Sequence, residues 1–323
     1  MLDVPLRRLR LTMRNSAVER GVDQLRDELQ RRGIRFKPHA WISDEWFSPD
    51  GVPGIAVPFY LIHPRLKRIE RTHTHMVEGG NHHWLMRILR HEAGHAIDTA
   101  YGLRRRKDWR RIFGHASAPY PSTYISHPSS RRYVLHLGHW YAQAHPTEDF
   151  AETFAVWLQP RARWRRDYQG WPALRKLEYI ERLMAEIRRT RPRCTNRSRI
   201  EPLGEKSQTL AQYYKRKAAR YDFEERRYDR MLQRAYAARR GARCTRASRF
   251  VREMKPQLHR LLTRRARLHP YLVDHAIDSV ANRLAQLRLC IRGDRRKAKR
   301  VTVRLLERIV LDIMRRNREN YAL

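Results

Sequence analysis

Apolar residues recur along this chain mostly at helical spacing. Val18, Val22, Leu25 and Leu29 stand at i, i+4, i+7 and i+11, one face of a helix that Gly33 can end. A pair of strands is expected next: 34–42 and 54–63 are rich in β-branched and aromatic residues, and the stretch between them is dense in turn formers. From His82 to about Tyr101 the period returns to that of a helix, with Trp84, Leu85, Ile88 and Leu89 on one side and Gly102 to close it. Residues 116–130 carry three prolines and read as a long loop. A further helix is predicted from Thr147, a candidate cap, with Glu148 and Asp149 in its first turn and Phe150, Phe154 and Trp157 on its buried face. One more is expected over 171–188. Beyond it 208–239, 246–267, 271–292 and 297–320 all pattern as amphipathic helices.

Composition divides this pattern in two. Residues 1–190 hold 33 Lys/Arg against 20 Asp/Glu, whereas 191–323 hold 37 against 13, so the shorter part is the more basic. Histidine runs the other way, with only His259, His269 and His275 after residue 190. The stretch 191–204 is charged, holds two prolines and lacks apolar periodicity, and reads as a linker. The expected organisation is a mixed α/β domain over 1–190, the linker, and an all-α basic region over 205–323. Arginine outnumbers lysine 60 to 10, which an Arg-favouring genome explains, but the net charge of +37 is a separate property. The basic helices could meet an anionic partner, nucleic acid or an acidic surface, and Tyr213, Tyr214 and Tyr221 interleaved with arginines could stack on bases. With 41% hydrophobic residues the chain can build a core, which excludes a wholly disordered protein. No stretch is long and apolar enough to span a bilayer, and the N-terminus has charges where a signal peptide needs an apolar centre. No transmembrane segment and a cytoplasmic location are therefore expected. Cys194, Cys244 and Cys290 are too few and too scattered to suggest a disulfide framework, and no CxxC pair is present.

The strongest local signal is His91-Glu92-Ala93-Gly94-His95 inside a predicted helix. Imidazoles at i and i+4 leave the same face one turn apart, so one metal ion can take both, and the glutamate beside the first can reach a water on that ion. A catalytic zinc site usually has three protein ligands. A histidine six residues after His95 would complete one, but Tyr101 stands there. An acidic ligand on a second helix is the other route, and 145–154 supplies Glu148 and Glu152 at i, i+4: one can ligate while the other hydrogen-bonds a ligand histidine. His145 could compete as a ligand, although Pro146 favours a loop conformation for it. His82 and His83 lie two turns before His91 and read as surface residues; His136 and His139 could line the cleft. An edge strand at 54–60 could align a peptide backbone by strand addition, a role that Pro58 weakens.

HEAGHAID followed by HPTEDFAETFAVWL resembles the bacterial zinc-binding metallopeptidases that combine HExxH with an EDxAE helix, a gluzincin-type group, and in these two motifs is similar to the catalytic domain of anthrax lethal factor. The resemblance covers residues 10–188 and implies a zincin-like α+β domain, mostly helical with a small sheet, holding one Zn²⁺. It implies further that His91, His95 and Glu148 are ligands, that Glu92 is the general base and that Glu152 supports a ligand. Tyr141, seven residues before Glu148, matches a catalytic tyrosine of lethal factor, and Asp98 matches an acidic residue that would orient a ligand imidazole. The implied activity is zinc-dependent hydrolysis of peptide bonds in a peptide or protein substrate. The competing expectation is a nucleic-acid-binding or scaffold protein whose metallopeptidase-like domain does not cleave.

Overall fold

The computed structural model describes residues 2–74, 77–121, 123–127, 129–138, 140–221, 228–238, 244–265, 270–315 and 319–322. Its helices among these residues are α1 (Ala17–Arg31), α2 (Pro64–Thr74), α3 (His82–Tyr101), α4 (Lys107–Phe113), α5 (Pro146–Leu158), α6 (Trp164–Asp167), α7 (Ala173–Ile187), α8 (Leu210–Tyr221), α9 (Asp229–Ala235), α10 (Ala247–Arg265), α11 (Pro270–Gln286) and α12 (Arg295–Arg315). Strands are β1 (His39–Ser43), β2 (Gly54–Pro58), β3 (Thr123–Ser126), β4 (Ala237–Ala238), β5 (Leu289–Cys290) and β6 (Glu319–Ala322), joined in three pairs. The protein is mostly helical with small sheets. No helix among the described residues is long and apolar enough to cross a membrane.

Local chemistry explains the elements that frame the centre of the molecule. Ser16 caps α1 by accepting from the Glu19 N–H at 3.1 Å, and Val18, Val22, Leu25 and Leu29 are buried as their spacing requires. Asn81 caps α3 by accepting from Trp84 N–H at 2.9 Å, and Gly102, at φ 64°, closes it in the left-handed region. The cap of α5 is His145, not Thr147. Pro146 has the fixed φ that suits a first helical position and forces its predecessor to be extended, so His145 takes the cap and its ring accepts from the Thr147 N–H. Every residue of α5 from Thr147 to Leu158 is buried, as expected of a helix packed on all sides.

The first core gathers α1, α3, α5 and α7 around Leu25, Leu89, Ile97, Phe150, Phe154 and Ile180. Arg90 on α3 makes a buried two-pronged bond to Glu28 on α1, at 2.7 and 2.8 Å. α3 and α5 approach closely at Gly94, where a Cβ would lie 2.7 Å from the Ala151 Cα and 3.1 Å from its Cβ. Glycine is what lets these two backbones touch.

β1 and β2 pair in parallel, His39 opposite Gly54 and Ser43 opposite Pro58, and not as a hairpin. The turn-rich connection carries Phe47 round to the far side of β2, where it accepts from the Ala56 N–H at 2.8 Å. Residues 191–204 are not a free tether: the carbonyls of Ser198, Ile200 and Glu201 bond His39, Trp41 and Ser43 of β1. Leu203, Leu210, Tyr213 and Tyr214 then join the first core, so the two cores divide after residue 214. Tyr213 and Tyr214 are buried, Tyr213 packing edge-on against Phe59, which removes both from the exposed stacking surface the sequence suggested. The side chain of Tyr221 lies outside the described residues.

The second core is built from α9 to α12 and takes in Tyr124, Trp140 and Ala144 from the first half. Part of its charge is internal, as in Arg283 with Asp229 and Arg295 with Glu253. It is not strictly all-α, because β4 pairs with β5 and β6 adds antiparallel to β3, Thr123 opposite Ala322. Cys244 and Cys290 form a disulfide, which their scattered spacing does not suggest: 46 residues separate them, and it is β5 that returns Cys290 to its partner. Loop closure over that separation corresponds to about 4 kcal/mol in chain-entropy terms. Cys290→Ser is therefore expected to lower the denaturation midpoint by a corresponding amount, and an unchanged midpoint would show that the bond contributes nothing.

Candidate metal centre

Four side chains expected at the site converge where α3 crosses α5. His91 and His95 project from successive turns of α3, with Nε2 atoms 3.2 Å apart and ring planes at 77°. Glu148, in the first turn of α5, sets Oε2 at 3.0 Å from His91 Nε2 and 3.2 Å from His95 Nε2. Three donor atoms 3.0–3.2 Å apart nearly match the edge of a tetrahedron with bonds of about 2.0–2.1 Å, which is about 3.3 Å. These residues form the one cluster among the described residues whose donor atoms could hold a metal ion together.

Glu152 lies one turn further along α5 and has a different task. Its Oε1 accepts from His91 Nδ1 at 2.8 Å, and its Oε2 accepts from the Leu137 N–H at 2.8 Å. Both oxygens are thereby occupied, and His91 is oriented with Nε2 aimed at the donor cluster. Burial pushes the His91 pKa down, but Glu148 and Glu152 outweigh it and hold the imidazole well above its usual range. Burial likewise pushes Glu148 up, while His95 and His91 hold it well below the usual carboxylate range.

Glu92 is buried beside the triad, and its Oε2 has no hydrogen-bond partner among the described residues. Burial raises its pKa against the pull of His91 and His95. The Ser48 hydroxyl lies between the Gly54 carbonyl of β2 at 2.8 Å and the Glu92 carbonyl of α3 at 3.0 Å, its single hydrogen shared between them. Tyr141 opens a single 3-10 turn (Tyr141–Gln143) preceded by Trp140 in the left-handed region at φ 54°. Its ring lies 5.5 Å from that of His91, and its hydroxyl exchanges a hydrogen bond with Tyr120.

Not every expected residue takes the expected place. Asp98 does not bond a ligand imidazole. The turn at Gly102 swings Arg104 back, and its N–H and Nε take the two Asp98 oxygens at 2.7 and 2.6 Å. Asp98 thus fastens the end of α3. His145 is no ligand either: Nδ1 accepts from Thr147 and Nε2 donates to the Ala118 carbonyl at 3.0 Å. His136 is buried and donates to the Arg87 carbonyl, and burial lowers its pKa to about 4, so it does not face an open cleft. His139 lies outside the described residues. His82 and His83 are exposed at the start of α3. The stretch 54–60 is not a free edge, because β2 is buried between β1 and Phe47.

Tyr120 is the residue that sequence reasoning missed. Its hydroxyl donates to Glu148 Oε1, and its ring stacks on His145 with centroids 4.4 Å apart. No motif spacing marks it; its only signal is its position between Pro119 and Pro121 in a long loop. Compared with known protein families, with curated proteins and with solved structures, the chain matches none.

Proposed function

We propose that this protein is a zinc-dependent metallopeptidase, with His91, His95 and Glu148 holding the ion and Glu92 acting as general base. Two imidazoles and one carboxylate suit zinc and leave a position for reactants. The observation that carries the reading is Glu92: a buried carboxylate oxygen without a partner, one residue from a complete donor triad. Such an oxygen is costly to keep, and a purely structural ion has no use for it.

When bound, zinc supplies Lewis-acid polarisation of a carbonyl and acidification of a water. Glu92 takes the proton of the attacking water and returns it to the leaving amine. Its place one residue after His91, buried and with an oxygen free of partners among the described residues, suits it to both halves of that task. Tyr141 presents a hydroxyl beside His91 that can donate to the developing oxyanion, a contribution of roughly 3 kcal/mol for one such donor. Glu152 keeps His91 in the orientation that serves the ion.

The test is hydrolysis of an unbiased peptide library by the purified protein loaded with zinc. Cleavage that disappears on chelation and returns with zinc is expected. Zinc binding with no cleavage would favour the scaffold or nucleic-acid-binding alternative.

A further inference from the structure

The two oxygens of Glu148 are treated differently by their surroundings. Oε2 faces the imidazoles of His91 and His95, while Oε1 turns away and accepts from the hydroxyl of Tyr120. A carboxylate free to rotate can give both oxygens to one ion and so use a second coordination position. One whose outer oxygen is held by a donor keeps to a single bond.

The segment that delivers this hydroxyl is fastened at two points. His145 Nε2 donates to the Ala118 carbonyl two residues before Tyr120, and the His145 ring carries the Tyr120 ring at 4.4 Å, tilted by 28°. His145 is fixed in turn by Thr147, at 2.7 Å from the hydroxyl. Prolines on both sides of Tyr120 fix two more backbone angles. The ring is 50% exposed, so it contributes little to the core, yet its hydroxyl is spent on a buried carboxylate. Two tyrosines therefore meet above the triad: Tyr120 donates to Glu148, and Tyr141, beside His91, hydrogen-bonds the Tyr120 hydroxyl.

We propose that Tyr120 is a positioning residue that holds Glu148 to one-oxygen coordination and so keeps a place on the ion for water or substrate. The inference rests on the metal-centre reading, and its test separates the two. The full chain is freed of metal and titrated with Co²⁺ in competition with a chelator, following the visible absorption that reports coordination number. Tyr120→Phe is expected to bind Co²⁺ about tenfold more weakly than wild type, the lower end of the effect of losing a residue that orients a ligand, and to show weaker bands as coordination number rises. His145→Ala keeps the hydroxyl but frees the segment, and should shift both readouts the same way by less. Tyr141→Phe removes the hydroxyl bonded to Tyr120 but leaves Tyr120 on Glu148, and should shift both readouts by much less than Tyr120→Phe. Wild-type affinity and spectrum in Tyr120→Phe, or the same changes in Tyr141→Phe, would overturn the role of Tyr120 while leaving the metal centre intact. No uptake of Co²⁺ by wild type would overturn both.

Discussion

Replacing Glu92 by glutamine is expected to lower kcat/KM for any cleaved peptide by a factor of roughly 10²–10⁴, with zinc still bound. The substitution preserves shape and volume and removes one property, the capacity to accept a proton. Glu92 is not one of the three clustered donors, so the ion keeps its ligands. The stability of the fold should if anything rise, because a buried carboxylate oxygen without a partner is replaced by a neutral amide. Loss of activity together with gain in melting temperature is the signature of a group retained for chemistry. A variant that keeps wild-type turnover would remove Glu92 from the mechanism. One that loses zinc would show that its carboxylate holds the ion.

The second large effect is expected at Gly94. An alanine there gains about 1 kcal/mol of helix propensity in isolation. In the folded protein its Cβ would lie 2.7 Å from the Ala151 Cα, a backbone contact that cannot yield as a flexible side chain could. Overpacking of this kind costs about 1–3 kcal/mol, so it outweighs the propensity and pushes α3 away from α5. Two of the donors ride on α3 and the third on α5, and separating the helices would widen the gaps of 3.0 and 3.2 Å from Glu148 to His91 and His95. Gly94→Ala should therefore weaken zinc binding by on the order of ten- to a hundredfold with helix content unchanged. Adding Ala151→Gly, which removes the Cβ at 3.1 Å, should recover part of the loss. Unaltered zinc affinity in Gly94→Ala would mean that the helix crossing does not set the donor geometry.

How far the sequence foretold this arrangement depends on how local the determinants are. The extents of α1 and α3 follow from caps and apolar spacing within a few residues, and both are where the pattern places them. The juxtaposition of His91 and His95 is likewise fixed by helix geometry alone. The meeting of α3 with α5 is not local; the need for a third, acidic ligand pointed to it, and the resemblance paired the two motifs. The sequence could not decide between Glu148 and Glu152, because the same helix face carries both. The difference lies in the Leu137 N–H and His91 Nδ1, which occupy Glu152 and leave Glu148 to face both imidazoles. Asp98 was misread for a similar reason: its partner Arg104 is brought near only by the folded turn. His145 is the non-helical residue that Pro146 implied, and its bond to Ala118 depends on the folded loop. The parallel pairing of β1 with β2 was hidden because turn-forming residues suggest a reversal without stating how far the chain travels before it pairs. Tyr120 had no periodic or motif signal at all.

One zinc ion held jointly by His91, His95 and Glu148 is the arrangement proposed for this centre. It is tested most directly by measuring zinc stoichiometry and affinity for the wild-type chain beside Glu148→Ala and Glu152→Ala. The expected result is one zinc per wild-type chain, loss of that zinc in Glu148→Ala, and retention with affinity weakened roughly ten- to a hundredfold in Glu152→Ala. A wild-type chain that binds no zinc, or one in which only Glu152→Ala releases it, would contradict the account.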